Sequence, residues 1–224
     1  MTGGKESWVA RSLDPGERLG EILFGLVMVL TFTLTAGLTV AEGREGVRQL
    51  LVSAIGCNIA WGLIDGVFHV MGGLFRRGQR YRLAQAIRDT PDENAAASMV
   101  AGALDPTLEE VSSPDERRRL YRDVVRVVRR LPDRRVRITR EDLWGALASF
   151  WLVVLSTIPA AIPFLIFNDQ PRFALRVSNG LLIALIFFVG FRWARYTGGS
   201  GWRIGSLLAL MGCALVTVAI ALGG

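Results

Sequence analysis

Three polar side chains interrupt an apolar run at residues 56–71, GCNIAWGLIDGVFHVM. Asn58, Asp65 and His69, the single histidine of the chain, are spaced by seven and four residues, so a helix places them on one face. An acid at the centre of a membrane-spanning helix costs roughly 2.5–3.5 kcal/mol and must be compensated or used. The spacing therefore predicts a polar stripe inside a helical bundle, where Asp65 binds a cation or carries a proton and His69 and Asn58 assist.

Two glycines, Gly62 and Gly66, share or border this face, and we expect them to admit a neighbouring helix. The alternative interpretation is an Asp65–His69 pair that satisfies itself while the glycines pack. We favour a functional role for Asp65, because packing alone does not require a titratable group there.

The charged residues are segregated along the chain. Of its 224 residues, 51% are hydrophobic and 21% are charged. Five stretches are nearly free of charge and long enough to cross a bilayer as helices. We predict an all-α membrane protein with five transmembrane helices and a cytoplasmic helical insert between helices 2 and 3. The predicted spans are about 20–41, 49–75, 141–167, 173–197 and 203–223, which divides the chain into segments 1–75, 76–140 and 141–224.

Lysine and arginine are distributed unevenly between the two sides of these spans. The N-terminal segment, the 76–140 insert and the connection between spans four and five carry 22 of the 26, and the other side carries 4. This asymmetry predicts a cytoplasmic N-terminus and an outside C-terminus, in what we expect to be a bacterial plasma membrane. Orientation and attraction to anionic lipid headgroups explain the net charge of +6, so nucleic acid need not be invoked.

The insert, 76–140, contains sixteen arginines. Its middle part, 91–113, is small, acidic and interrupted by proline, which predicts a loop with one short helix at most. The part that follows, 113–131, has Ser113 as N-cap, Pro114 at the first helical position and Pro132 beyond the end.

An apolar stripe runs along this basic helix, with arginines around it. The stripe consists of Leu120, Val124, Val127, Val128 and Leu131. We interpret the helix as one that lies on the membrane surface or packs between subunits, and an effector-binding site is the alternative.

Other residues are further candidates for an ion pathway. Glu21 lies at the cytoplasmic mouth of the first span, where it would line an entry or only favour a helix N-terminus. Met28 and Thr31 follow in the same span, although threonine hydroxyls usually bond to their own helix. Pro159 and Pro163 each remove a backbone hydrogen bond from span three, so the freed carbonyls face a pathway or the helix simply kinks.

Several catalytic patterns are missing from the sequence. It has no GxxxxGK[ST] phosphate loop and no Gly-rich dinucleotide turn, and a single histidine excludes HExxH. Cys57 and Cys213 both fall within spans, so neither a disulfide framework nor a CxxC metal site is expected. We therefore expect no enzyme and no cofactor, and a secondary transporter driven by a gradient remains.

Two stretches resemble the vacuolar iron transporter family. EILFGLVMVLTFTLTAGLTVA, residues 21–41, is similar to that family's first span, with its Gly-Leu, Leu-Thr and Thr-Ala-Gly-Leu elements. LSTIPAAIPFLIF, residues 155–167, is similar to its Pro-containing third span. The resemblance implies five spans, a homodimer, and export of a divalent metal cation of the Fe²⁺/Mn²⁺ class from the cytoplasm.

The sequence departs from that family at its metal ligands. The Asp-Gly pair that supplies a translocation ligand in the family is replaced here by Met28-Val29, and a thioether suits soft metals. The family's insert binds iron through glutamates on helices, whereas sixteen arginines in this insert would repel a cation. If transport is retained, the ligands have moved to span two, where Asp65 and His69 are the candidate metal ligands.

A protein of a different class fits the same sequence. In this alternative the chain transports nothing and is a membrane scaffold or regulatory protein, whose basic insert binds anionic lipid or a protein partner.

Overall fold

A computed structural model describes residues 8–36, 44–132, 136–167 and 169–221, and within them every regular element is an α-helix. In chain order the helices are α1 (Trp8–Ser12), α2 (Pro15–Ala36), α3 (Arg44–Asp89), α4 (Glu93–Leu108), α5 (Pro114–Arg130), α6 (Arg140–Leu155), α7 (Ile158–Ile166), α8 (Pro171–Thr197) and α9 (Gly201–Ala221).

Four helical segments of the described chain are long and apolar enough to cross a membrane. They are Glu45–Asp89, Arg140–Ile166, Pro171–Thr197 and Gly201–Val218. The first predicted span begins within α2, and its last residues, 37–41, lie outside the described part. The all-α class and the membrane-spanning character are therefore as predicted, with four spans in place of five among the described residues.

Large apolar side chains cover the outside of the long helices. On α3, Val67 and Phe68 are 57% and 62% exposed, and on α9 Leu207 and Leu210 are 65% and 67% exposed. Contiguous apolar surface of this extent is uncommon on proteins surrounded by water, whereas lipid chains match it. These surfaces identify the chain as an integral membrane protein.

The chain forms two compact units. The first comprises Met1–Val70 and Arg140–Gly224, and the second comprises Met71–Thr139. Helix α3 contributes residues to both units.

The first unit has its main core between α2 and α8. Leu26, Val29 and Leu30 on α2 pack with Leu182 and Ile186 on α8, and all five are buried. These residues recur at helical spacing, so each helix presents one apolar face to the other. The core fixes α2, which carries Glu21, within the bundle.

The second unit differs from its prediction at residues 91–113. The expected loop is wrong, since α4 covers sixteen of these residues and begins after Asp92, whose carboxylate accepts from the Asn94 and Ala95 amides. Alanine is the strongest helix former, and α4 also buries Ala96 and Val100 against α5. Helix propensity and burial together outweigh the proline and acidic residues of this stretch.

Helix α5 begins as predicted, and its buried face differs from the predicted stripe. Ser113 and Glu116 form a reciprocal capping box, and the helix ends two residues before Pro132. The buried side chains are Tyr121 and Val125, and the stripe residues Val124 and Val128 are partly buried against the same core. The other stripe residues, Leu120, Val127 and Leu131, are 43%, 56% and 54% exposed. The face of α5 that packs against α4 is therefore centred on Tyr121 and Val125 and differs from the predicted stripe.

A polar contact closes one end of the α4–α5 packing. The Tyr121 hydroxyl donates to the Asp105 carboxylate, which also forms an ion pair with Arg117 at 3.4 Å. Burial, followed by the hydrogen bond to Asp105, raises the pKa of the Tyr121 hydroxyl. Hydrogen bonds from the Ser113 hydroxyl and amide lower the pKa of Glu116 below its ordinary value of 4.5.

We expect Ser113→Ala to destabilise the first turn of α5 by about 1 kcal/mol, because it removes the side-chain cap. Amide hydrogen exchange of residues 115–118 in the full chain measures this. The pKa of Glu116 is lowered in the folded chain, so its ionised carboxylate stabilises the fold. This stabilisation is present above about pH 4.5 and is lost as the pH falls further.

The matched control is Ser98→Ala, since that hydroxyl bonds to Asn94 O within its own helix and caps nothing. We expect a change within about 0.5 kcal/mol there. Equal effects of the two substitutions on α5, or protection of α5 that rises on acidification below pH 4.5, would contradict the capping role.

Candidate functional site: a carboxyl pair between three helices

Two carboxyl groups from different helices meet in the first unit. Glu21 on α2 and Asp65 on α3 are both partly buried, and their carboxyl groups lie within hydrogen-bonding reach of each other. The sequence predicts Glu21 at the cytoplasmic mouth of the first span and Asp65 as the acid of span two. The structure brings these two predicted residues into one site.

His69 and Ser149 complete the surroundings of the pair. His69 lies one turn along α3 from Asp65, near enough to interact electrostatically with Glu21. The Ser149 hydroxyl of α6 is within reach of the Glu21 carboxyl, although no hydrogen bond of good geometry joins it to any group in the described chain. Asp65 and His69 form no ion pair among the described residues, so the self-satisfied pair that we considered as an alternative is not formed.

Glycines allow α3 and α6 to approach this closely. A Cβ added to Gly66 would lie 3.1 Å from Ala146 O, and one added to Gly62 would lie 3.0 Å from Phe150 O. On the facing helix, a Cβ at Gly145 would overlap Nε2 of His69. The imidazole therefore rests on the bare backbone of α6, which fixes its position beside the carboxyl pair.

Asn58 lies on the same helix but does not join the carboxyl pair. It is seven residues from Asp65, about 10 Å along a helix. Its amide nitrogen donates to Val153 O at 3.0 Å and to Gly25 O at 3.4 Å. The side chain thus connects α3 to both α6 and α2.

The Val153 carbonyl is available because span three is broken. Helix α6 ends at Leu155 and α7 begins at Ile158, so the predicted kink at Pro159 and Pro163 is an interruption of the helix. In a continuous helix the Thr157 amide would bond to Val153 O. At the break it bonds to Val154 O instead, so Val153 O accepts from Asn58. Proline lacks an amide hydrogen and disfavours helical geometry in the preceding residue, which accounts for the break before Pro159.

The other two pathway candidates lie further along α2. The Thr31 hydroxyl is 3.0 Å from both Val27 O and Met28 O, so it bonds to its own helix, as the alternative interpretation expected. Met28 is half-buried. Thr33, two residues on, reaches across to Asn179 Oδ1 of α8 at 3.1 Å.

Sequence reasoning missed the contribution of α6. Gly145 and Ser149 are buried on one face of this helix, together with Val153 at helical spacing. Small residues repeating every three or four positions in an apolar span indicate a helix interface. That signal was present in the sequence, although it does not say which helix forms the other side.

The site offers two carboxyl groups, one imidazole and one hydroxyl. Within the described residues, no group of three or more His, Cys, Asp and Glu side chains is arranged to hold a metal ion. Asp65 and His69 therefore stay predictions as metal ligands. The arrangement is best suited to holding a proton between the two carboxyl groups, or a cation in its place.

Comparison with known proteins adds no family assignment: no protein-family model matches the chain, and no curated protein matches it. The resemblance to vacuolar iron transporters stays a prediction from two stretches of sequence.

We expect Gly145→Ala to displace His69 and to lower the stability of the protein by about 1–3 kcal/mol, because the added methyl group overlaps the imidazole. Thermal unfolding in detergent measures the loss, and the imidazole resonances of the chain's single histidine report its displacement.

The matched control is Gly180→Ala in α8, where an added Cβ meets nothing within 4 Å. Alanine is favoured over glycine in a helix, so this variant should be as stable as the wild type or more so. Unchanged histidine resonances in Gly145→Ala would contradict the packing described for His69.

Proposed function

We propose that the protein is a secondary transporter that exports a cation from the cytoplasm in exchange for protons, with Glu21 and Asp65 as the shared binding site. The contact between the two carboxyl groups carries this proposal. Two ionised carboxylates in contact repel each other strongly, and a proton or a cation between them removes that repulsion. A site that must hold one or the other is suited to exchange.

The neighbours of the pair support the same function. Glu21 and Asp65 belong to two helices, so a change in occupancy alters the interaction between α2 and α3. His69 and Ser149 add donors whose protons can reorganise when the occupant changes. None of these groups is needed for apolar packing, which glycines already provide at this interface.

We propose a divalent cation of the Fe²⁺/Mn²⁺ class as the substrate. Carboxylate oxygens with one imidazole suit first-row divalent metals of intermediate hardness. The resemblance to vacuolar iron transporters supports the same class. Since the described residues contain no cluster of three or more such ligands, water would fill part of the coordination sphere.

The proposed orientation of the chain follows from the arginine distribution, and export as the direction of transport follows from the resemblance to vacuolar iron transporters. The side that carries 22 of the 26 basic residues is proposed as cytoplasmic, with Glu21 near that face and the C-terminus outside. Five spans and a homodimeric assembly belong to the same proposal, because the resemblance to vacuolar iron transporters implies both.

The second candidate function is the non-transporting membrane protein. Exposed arginines on α5 favour it, since Arg118 and Arg126 have half or more of their side chains exposed even though each is paired with an aspartate. A basic helical surface of this kind is suited to anionic lipid. Loss of function on deleting 113–131, with Asp65→Asn silent, would favour this candidate.

We expect Asp65→Asn and Glu21→Gln each to reduce proton-driven uptake of Fe²⁺ or Mn²⁺ into proteoliposomes by about tenfold or more, equivalent to about 1.4 kcal/mol in the barrier. Each amide keeps the size of the side chain and removes the exchangeable proton. Uptake is measured with and without an imposed pH gradient.

The control variant is Glu17→Gln, the same substitution one turn earlier on α2 at an exposed position. It should transport like the wild type. Normal gradient-driven uptake by folded Asp65→Asn would refute the proposed site, and no uptake of any metal by folded wild-type protein would refute the proposed substrate.

A further inference from the structure

Four oxygen atoms in the interior of the first unit have no hydrogen-bond partner in the described chain. They are Asp65 Oδ2, Ser149 Oγ, Asn58 Oδ1 and Thr157 Oγ1. Asn58 and Ser149 are completely buried, and Thr157 is 3% exposed. Leaving a buried polar atom unmatched costs about 1–3 kcal/mol, so a group of them requires an explanation.

Other buried hydroxyls in the same unit are satisfied. Ser178 donates to Ala160 O at 2.9 Å, Thr33 bonds to Leu30 O at 3.0 Å, and Ser156 donates to Leu152 O at 2.7 Å. Buried serine and threonine in this bundle therefore find partners as a rule. The unmatched oxygens are specific to the interface of α3 with α6 and to the break that follows α6.

Two of the unmatched oxygens lie at the carboxyl pair. Asp65 touches Glu21, and Ser149 lies beside that same carboxyl group.

The next turn of α2 continues the connection. Ser156 Oγ lies 3.4 Å from Ile22 O, and a Cβ on Gly25 would lie 2.9 Å from both Ser156 Oγ and Val153 O. Val153 O accepts from Asn58.

Thr157 directly follows Ser156 at the break between α6 and α7. The polar groups therefore run from the carboxyl pair to the point where span three is interrupted.

The chemistry of the four atoms identifies what would satisfy them. Asn58 Oδ1 can only accept, so its partner must donate a hydrogen bond or be a cation. The two hydroxyls can donate as well as accept, and beyond Asp65 none of these groups carries a charge. A bare cation would be poorly compensated there, whereas water donates and accepts and costs no charge burial.

We propose that these four oxygens hold a file of ordered water, which leads from the Glu21–Asp65 pair to the α6–α7 break and conducts protons to and from the pair. In each step a water accepts a proton on its oxygen and releases another to the next group, so no net bond is made or lost. The conducting role rests on the proposed function, while the presence of the water does not.

Water-edited solid-state NMR on the full-length, isotope-labelled protein in lipid bilayers tests the presence of the water. We expect polarisation to pass from water to the Asn58 side-chain amide and to the Thr157 side chain. The internal control is Ser178, which is equally buried and fully bonded and should show no transfer. No transfer to Asn58 and Thr157, or equal transfer to Ser178, would overturn the proposal.

Proton flux out of proteoliposomes with an acidic interior, followed with an internal pH dye after Mn²⁺ is added outside, tests the conducting role. We expect Thr157→Val to lower the flux by about tenfold, because valine has the same shape and cannot bond water. Thr157→Ser, which keeps the hydroxyl, should restore it, and Ser178→Ala should match the wild type.

The outcomes separate this inference from the proposed function. Wild-type flux in Thr157→Val, with Asp65→Asn inactive, would leave the carboxyl pair in place and refute the water file as its route. Water transfer at Asn58 and Thr157 with normal transport by Asp65→Asn would refute the proposed function and leave a structural water file.

Discussion

The close approach of α2, α3 and α6 is the constraint on which the rest of the first unit depends. Helices in a bilayer associate by packing, and small residues allow their backbones to meet. Gly25, Gly62 and Gly66 each face atoms of α6 at distances where a Cβ would be crowded. At such separations a polar group on one helix necessarily meets the neighbouring helix. The contact between Glu21 and Asp65 and the reach of Asn58 to two carbonyls both follow from this spacing.

The sequence indicates which residues share a face of one helix, and it indicates far less about what faces them. Asn58, Asp65 and His69 could be placed together because helical periodicity is local. The partner of Asp65 is 44 positions away on α2, and no period connects the two. Glu21 was recognised as a candidate only from its place at the end of an apolar run. Interhelical partners depend on packing angles and rotations that a pattern of apolar residues does not fix.

The two errors in the insert have a common physical origin. At 91–113 the alanine content outweighs the proline and acidic residues, and Pro106 lies in the last turn of α4, where the loss of its one amide donor leaves the preceding turns intact. In α5 the predicted stripe consists of aliphatic residues and does not include Tyr121. A buried tyrosine contributes a large apolar ring and needs only one partner for its hydroxyl, which Asp105 supplies. In both helices, the contact between α4 and α5 decides which residues are inside.

The break before Pro159 connects the structural and functional interpretations of Asn58. An asparagine that served only to join helices is expected to have both ends of its amide matched, because most buried polar groups in folded proteins are hydrogen-bonded. Here the nitrogen occupies the carbonyl that the break releases, and the oxygen has no partner in the described chain. The break therefore stabilises the contact between the three helices, because it frees Val153 O for the nitrogen of Asn58. The oxygen of the same side chain adds an unmatched polar atom to the interior. Replacing the prolines with good helix formers would close the break, satisfy Val153 O within α6 and remove both effects at once.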